Sequence, residues 1–210
     1  MKNVAIIQAR LGSSRLPAKV LRDIQGHTML HRVVTRVQQC KYIDQVVVAT
    51  SDEEADRPLV EYCDDEGFDV FEGSHLDVLS RYTDAAIALK ADNIVRITAD
   101  CPLIDPGVVD QVIIKLMADP FLDYTCNFFP VRRFPRGLDA EAFTLETLLQ
   151  ANKMAFDPPE REHVTLQIYR NPSLYAIGSV QPREDHSSLR WTVDTMDCLL
   201  YTSPSPRDRG

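Results

Sequence analysis

Short apolar runs alternating with stretches of helical periodicity constrain this chain more than any other feature. NVAIIQ (3–8), QVVVAT (45–50), DVF (69–71) and NIVRIT (93–98) are too short for buried helices and read as strands covered on both faces. Between them, TMLHRVVTRVQQC (28–40) puts Met29, Leu30, Val33, Val34 and Val37 at helical spacing. DEEADRPLVEYCDDEG (52–67) reads as a helix with an acidic first turn and a glycine stop, broken or delayed by Pro58. LDVLSRYTDAAIALK (76–90) and GVVDQVIIKLM (107–117) continue the series. A βαβαβαβα order predicts a mostly parallel sheet flanked by helices. The second half is less regular. Strands are expected at 123–128, 139–145, 174–180 and 189–194, and helices at 145–156 and 161–170.

The net charge of −8 over 210 residues argues against general nucleic-acid binding, so any cluster of cations is informative. The five cysteines form no CxxC pair and no disulfide framework for a chain of this size, which suits reduced thiols and a cytoplasmic location. The sequence holds no apolar run of membrane-spanning length and no signal peptide at its start. The last stretch, CLLYTSPSPRDRG (198–210), departs from the preceding pattern. It resembles a translated sequencing adapter, in which TGT CTC TTA TAC ACA TCT reads Cys-Leu-Leu-Tyr-Thr-Ser. It is read as a non-native tail on a single domain, 1–197.

In open α/β sheets, ligands bind beyond the carboxyl ends of the strands. The loop after the first strand, ARLGSSRLPAK, combines Gly12, Ser13 and Ser14 with Arg10, Arg15 and Lys19. Small residues let backbone amides approach a ligand, and the cations match a polyphosphate. A solvated basic turn fits the charge pattern too. The loop is neither a Walker A sequence nor GxGxxG. Asp100, directly after NIVRIT, is placed to hold Mg²⁺ against a nucleotide phosphate, although a turn or cap aspartate is the more ordinary role. Asp105, before Pro106, reads as a helix cap. Asp194, in RWTVDT, ends an expected strand and could pair with Asp100 around a metal.

IIQARLGSSRLPAKVL, VVVATS, GSHLDVLSRY, VRITADCPLIDP, GLDAEAF and REHVTLQIYRNP occur in that order. Together they resemble the bacterial cytidylyltransferases of surface-polysaccharide synthesis. The closest likeness is to the spore coat polysaccharide group, related to CMP-Kdo and CMP-acylneuraminate synthetases, and it runs from residue 3 to about 197. The resemblance implies a single Rossmann-like, glycosyltransferase-A-like α/β domain. It also implies transfer of a cytidylyl group from CTP to an acidic sugar with Mg²⁺ as cofactor, in a homodimer. On this likeness Arg10, Gly12, Ser13, Arg15 and Lys19 grip the triphosphate, and Asp100 and Asp194 hold the metal. Ala49, Thr50 and Ser51 lie beside the base or ribose, and Asp77 and Arg81 near the nucleotide–sugar junction. The last two read equally as an i,i+4 helix-surface pair. Asp139, Glu141, Arg161, Glu162 and His163 form the sugar side, with Arg161 or Arg136 opposite the sugar carboxylate. Ala99 stands where the family often has Gly, and Met196 where it often has Pro. The family continues into a C-terminal helix here, so truncation would leave Asp194 unsupported.

Two other readings remain open on the sequence alone. A nucleotide-sugar glycosyltransferase would ordinarily carry Asp-x-Asp after a central strand, where this chain has a single Asp100 in TADCP. A non-catalytic nucleotide-binding module would use the same carboxylates structurally.

Overall fold

The computed structural model describes residues 1–13 and 15–202, with side chains to Leu199; Ser14 and the tail beyond 202 lie outside the described residues. The chain order is β1 (Asn3–Gln8), a hairpin of β2 (Asp23–Ile24) and β3 (His27–Thr28), α1 (Met29–Val37), β4 (Gln45–Ser51), α2 (Arg57–Glu66), β5 (Asp69–Gly73), α3 (Val78–Ala88), β6 (Asn93–Thr98) and α4 (Pro106–Ala118). Then come β7 (Tyr124–Cys126), β8 (Glu141–Thr144), α5 (Leu145–Met154), α6 (Pro158–Glu162), α7 (Leu166–Tyr169), β9 (Ile177–Ser179) and α8 (Met196–Thr202). The main sheet has seven strands in the order β5-β4-β1-β6-β8-β7-β9, parallel except where β8 pairs with β6 and β7.

The unbroken apolar character of β1 follows from its central place. Ala5 and Ile7 pack beneath α1, α2 and α4, while Val4 and Ile6 pack beneath α3 and α5. Burying a valine or isoleucine side chain contributes about 1.5–3 kcal/mol. Helix ends follow their local chemistry. Asp105 caps α4 by accepting from the Val108 amide at 3.0 Å, as its sequence position predicts. A 3-10 turn at 54–56 delays α2, which then starts with Pro58 in its first turn and stops at Gly67, at φ 69°.

The second half departs from its expected pattern. Residues 161–170 are not one helix: α6 and α7 are separated by Val164, held at φ 50°, where a helix cannot continue. Residues 189–194 form no strand of the sheet. They run extended beside the 135–138 loop, joined by one bridge between Arg136 and Arg190. Gly137 makes this approach possible: a Cβ there would lie 2.6 Å from the Trp191 carbonyl carbon, and φ is 105°. Helix α8 crosses residue 198, where the sequence pattern changes, and Leu199 packs with Ile24, Met29 and Val193.

Candidate active site

Gln8 lies opposite Ala49 in β4 and Thr98 in β6, so β1 and β6 end level and β4 runs two residues further, to Ser51. The loop leaving β1 is shaped by its own backbone and by one buried carboxylate. The Ala18 amide donates to the Leu11 carbonyl at 3.0 Å, closing the turn. The Leu11 amide donates to Asp56 Oδ1 at 2.6 Å, and Ser51 Oγ donates to Asp56 Oδ2. Asp56, only 2 % exposed, thus ties the cationic loop to the end of β4. Within its sequence stretch Asp56 is one acid among several, so nothing in the local pattern singled it out.

The loop walls a cleft of about 430 Å³ lined by Gln8, Arg10, Gly12, Ser13, Arg15, Lys19, Thr98, Ala99 and Asp100, among others. Lys19 Nζ donates to Asp100 Oδ2 and Asp194 Oδ1, both at 3.0 Å, and to the Val193 carbonyl at 3.3 Å. Asp194 arrives from the far end of the chain because the Val193 amide donates to the Asp100 carbonyl at 2.9 Å. Asp194 also accepts from Arg190 and from Arg15, the latter at 3.4 Å. Burial opposes its charge, but the Lys19 hydrogen bond and charge, with Arg190 and Arg15, outweigh it and lower its pKa to about 2. Asp100 Oδ1 accepts from Thr98 Oγ1 at 2.6 Å. Cys101, in the same motif, is fully buried, and burial followed by the Asp100 charge pushes its thiol well above the ordinary value, so it is no nucleophile.

The remaining sequence-derived residues fall into three settings. Ala49, Thr50 and Ser51 are fully buried at the end of β4; Thr50 Oγ1 has no hydrogen-bond partner among the described residues. Asp77 and Arg81 do not pair. Asp77 caps α3 and grips Arg161 through both carboxylate oxygens. Arg81 is 1 % exposed, donates from Nη1 to the Ser74 carbonyl at 3.2 Å, and leaves Nε and Nη2 without a described partner. Burial lowers its pKa; Asp56 and Asp52 act in the opposite direction.

Glu141 and Asp139 are committed to protein contacts. Glu141 is 3 % exposed and accepts from Arg96, from Tyr124 Oη at 2.7 Å and from Thr165 Oγ1. Arg96 in turn donates to Gln8 Oε1 at 3.3 Å, so Glu141 lies beneath the cleft floor. Asp139 pairs with Arg132. A second cavity of about 370 Å³ shares Arg10 with the first, and it brings together Asp77, Arg161 and Glu162 with Leu76 and Phe156. Arg10 and Glu162 are 3.6 Å apart. Arg161, held by Asp77 and by the Asn152 carbonyl at 2.9 Å, is already neutralised as a carboxylate receptor. His163 is exposed at the end of α6, outside the walls of both cavities, and Arg136 is exposed on its loop.

The donor set suits a hard divalent cation. Asp100 and Asp194 already share one cation, the Lys19 ammonium, through carboxylate oxygens. Among the described residues no three acidic, His or Cys side chains form a self-sufficient metal cage. Two carboxylates completed by phosphate and water oxygens is a usual Mg²⁺ arrangement.

A mostly parallel seven-strand sheet flanked by helices, with this cleft beyond its strand ends, has the α/β nucleotidyltransferase fold. The chain is a cytidylyltransferase: residues 4–197 match the model of that family, and the chain belongs to it. It is 37 % identical over 199 residues to the spore coat polysaccharide biosynthesis protein SpsF of Bacillus subtilis, covering 91 % of this chain and 81 % of that one. A solved cytidylyltransferase from Leptospira borgpetersenii serovar Hardjo-bovis superposes with a TM-score of 0.90 at 35 % identity, covering 94 % of this chain and 83 % of that one. The fold is also that of a CMP:2-keto-3-deoxy-manno-octonic acid synthetase complexed with CTP, with a TM-score of 0.73 at 22 % identity and 96 % of each chain covered. Among the described residues no helix is long and apolar enough to cross a membrane.

Proposed function

We propose that the protein transfers a cytidylyl group from CTP to a hydroxyl of an acidic sugar, releasing pyrophosphate, for cell-surface or spore-coat polysaccharide synthesis. The observation that carries this reading is the single cleft uniting Arg10, Gly12, Ser13, Arg15 and Lys19 with Asp100, in a chain of the cytidylyltransferase family. The sugar oxygen bonds to the α-phosphorus, the α–β phosphoanhydride bond breaks, and the hydroxyl proton is released. Arg10 and Arg15 offset charge building on the departing pyrophosphate, where stabilisation accelerates the step. Asp100 and Asp194 hold Mg²⁺, which when bound supplies Lewis-acid stabilisation of the phosphate oxygens. The buried Arg81, with two guanidinium nitrogens that have no partner among the described residues, suits the adjacent O2 and N3 acceptors of cytosine; uracil presents a donor at N3. The second cavity takes the sugar, with Glu162 and Arg10 in its wall. The working domain is 1–197 and its working state a homodimer.

Pyrophosphate release with each of the four nucleoside triphosphates, against a panel of acidic and neutral sugars, tests the reading. CTP with one acidic sugar is the expected active pair. Turnover only with UTP, or only with neutral sugars, would overturn it.

A further inference from the structure

The Lys19 ammonium has three protons and three acceptors, two of them the carboxylates that the proposed reaction needs for a metal. We propose that Lys19 is a resident stand-in for the divalent cation. In the nucleotide-free protein it occupies the seat between Asp100 and Asp194, so the metal enters with the triphosphate and not before it. This inference rests on the assignment of those carboxylates to the metal.

Three observations support it. First, the two occupants exclude each other: Mg²⁺ or Mn²⁺ requires carboxylate oxygens at roughly 2.1 Å, whereas the ammonium already approaches the same oxygens at 3.0 Å. Second, the local charge disfavours a bare metal. Lys19, Arg15 and Arg190 face two carboxylates, so the cluster is already over-neutralised. Third, Lys19 has somewhere to go. It belongs to the wall of the cleft, next to Gly12, Ser13 and Arg15, where the phosphates of the proposed substrate would lie. A triphosphate offers the ammonium a replacement anion and offers the metal the oxygens that two carboxylates cannot supply. Lys19 therefore exchanges partners as nucleotide binds, and metal and nucleotide affinities are coupled through it.

The test is Mn²⁺ binding to the purified full chain, followed by electron paramagnetic resonance and calorimetry, so that no turnover is required. The nucleotide-free wild type is expected to bind Mn²⁺ weakly. Lys19→Met is expected to bind it at least about 10-fold more tightly, within the range of ordinary coupling between sites; Lys19→Gln serves if the Met variant does not fold. Arg190→Gln removes a charge from Asp194 without emptying the seat, and is expected to change Mn²⁺ affinity less than about 3-fold. Equal Mn²⁺ affinity in wild type and both Lys19 variants would overturn the proposal, as would an Arg190→Gln gain equal to that of Lys19→Met. Binding of Mn²⁺ with CTP to Asp100→Asn separates the two ideas. If that variant loses metal while the Lys19 variants behave as wild type, the stand-in role alone is wrong. If Asp100→Asn binds Mn²⁺ and CTP like wild type, the metal assignment fails and the stand-in role with it.

Discussion

Replacing Asp56 should damage both stability and nucleotide binding, though its side chain lines neither of the two cavities described. Its carboxylate accepts two hydrogen bonds, a partly buried one from the Leu11 amide and a buried one from the Ser51 hydroxyl, and it is only 2 % exposed. In Asp56→Ala both donors lose their acceptor in a buried site. Each unsatisfied donor costs about 1–3 kcal/mol, so the expected loss is about 2–6 kcal/mol. In a domain of this size that lowers the melting temperature by on the order of 10 °C. Asp56→Asn keeps one acceptor for Leu11 and can donate its amide to the Ser51 oxygen, so its loss should be about 1–2 kcal/mol. Leu11 lies between Arg10 and Gly12, so the Ala variant should also loosen the cationic loop and, on the proposed function, weaken CTP binding about 10-fold, more than Asn does. Urea unfolding and calorimetric titration with CTP measure the two effects. An Ala variant as stable as wild type would refute the anchoring role. A destabilised Ala variant with unchanged CTP affinity would refute the link from Asp56 to the loop.

Two further outcomes follow from the charge networks. Glu141→Gln takes its counter-ion from the partly buried Arg96, so it should destabilise by up to about 3 kcal/mol in urea unfolding. A raised sugar KM with unchanged stability would instead place Glu141 in the sugar site. Asp194 has a pKa lowered to about 2 by its cations, so its stabilisation is present above pH 4 and is lost as pH falls toward 2. The lowering corresponds to about 2 kcal/mol. Wild type should therefore lose that much more than Asp194→Asn between pH 5 and pH 2; parallel stability curves would contradict the ion-pair account.

The parallel half of the fold was legible because its signals are local. NVAIIQ, QVVVAT and NIVRIT are apolar because they are covered on both faces, and Asp105 and Gly67 mark helix ends by their own backbone chemistry. The cationic loop was legible for the same reason: its cations lie within ten residues of sequence. The later segments were not. Val164 interrupts a helical pattern by adopting a positive φ, and residues 189–194 look like a strand but find a loop as their neighbour. Glu141 reads as a substrate residue by its motif, yet its partners Arg96, Tyr124 and Thr165 come from three separate segments.

Sequence alone thus determined the layered α/β order and the cationic character of the first loop, since periodicity and local charge are properties of neighbouring residues. Tertiary structure alone decided which charges meet. Lys19 and Asp194 lie 175 positions apart and Asp77 and Arg161 lie 84 apart. An ion pair depends on distances of a few ångströms, and only the crossing of distant segments sets those distances.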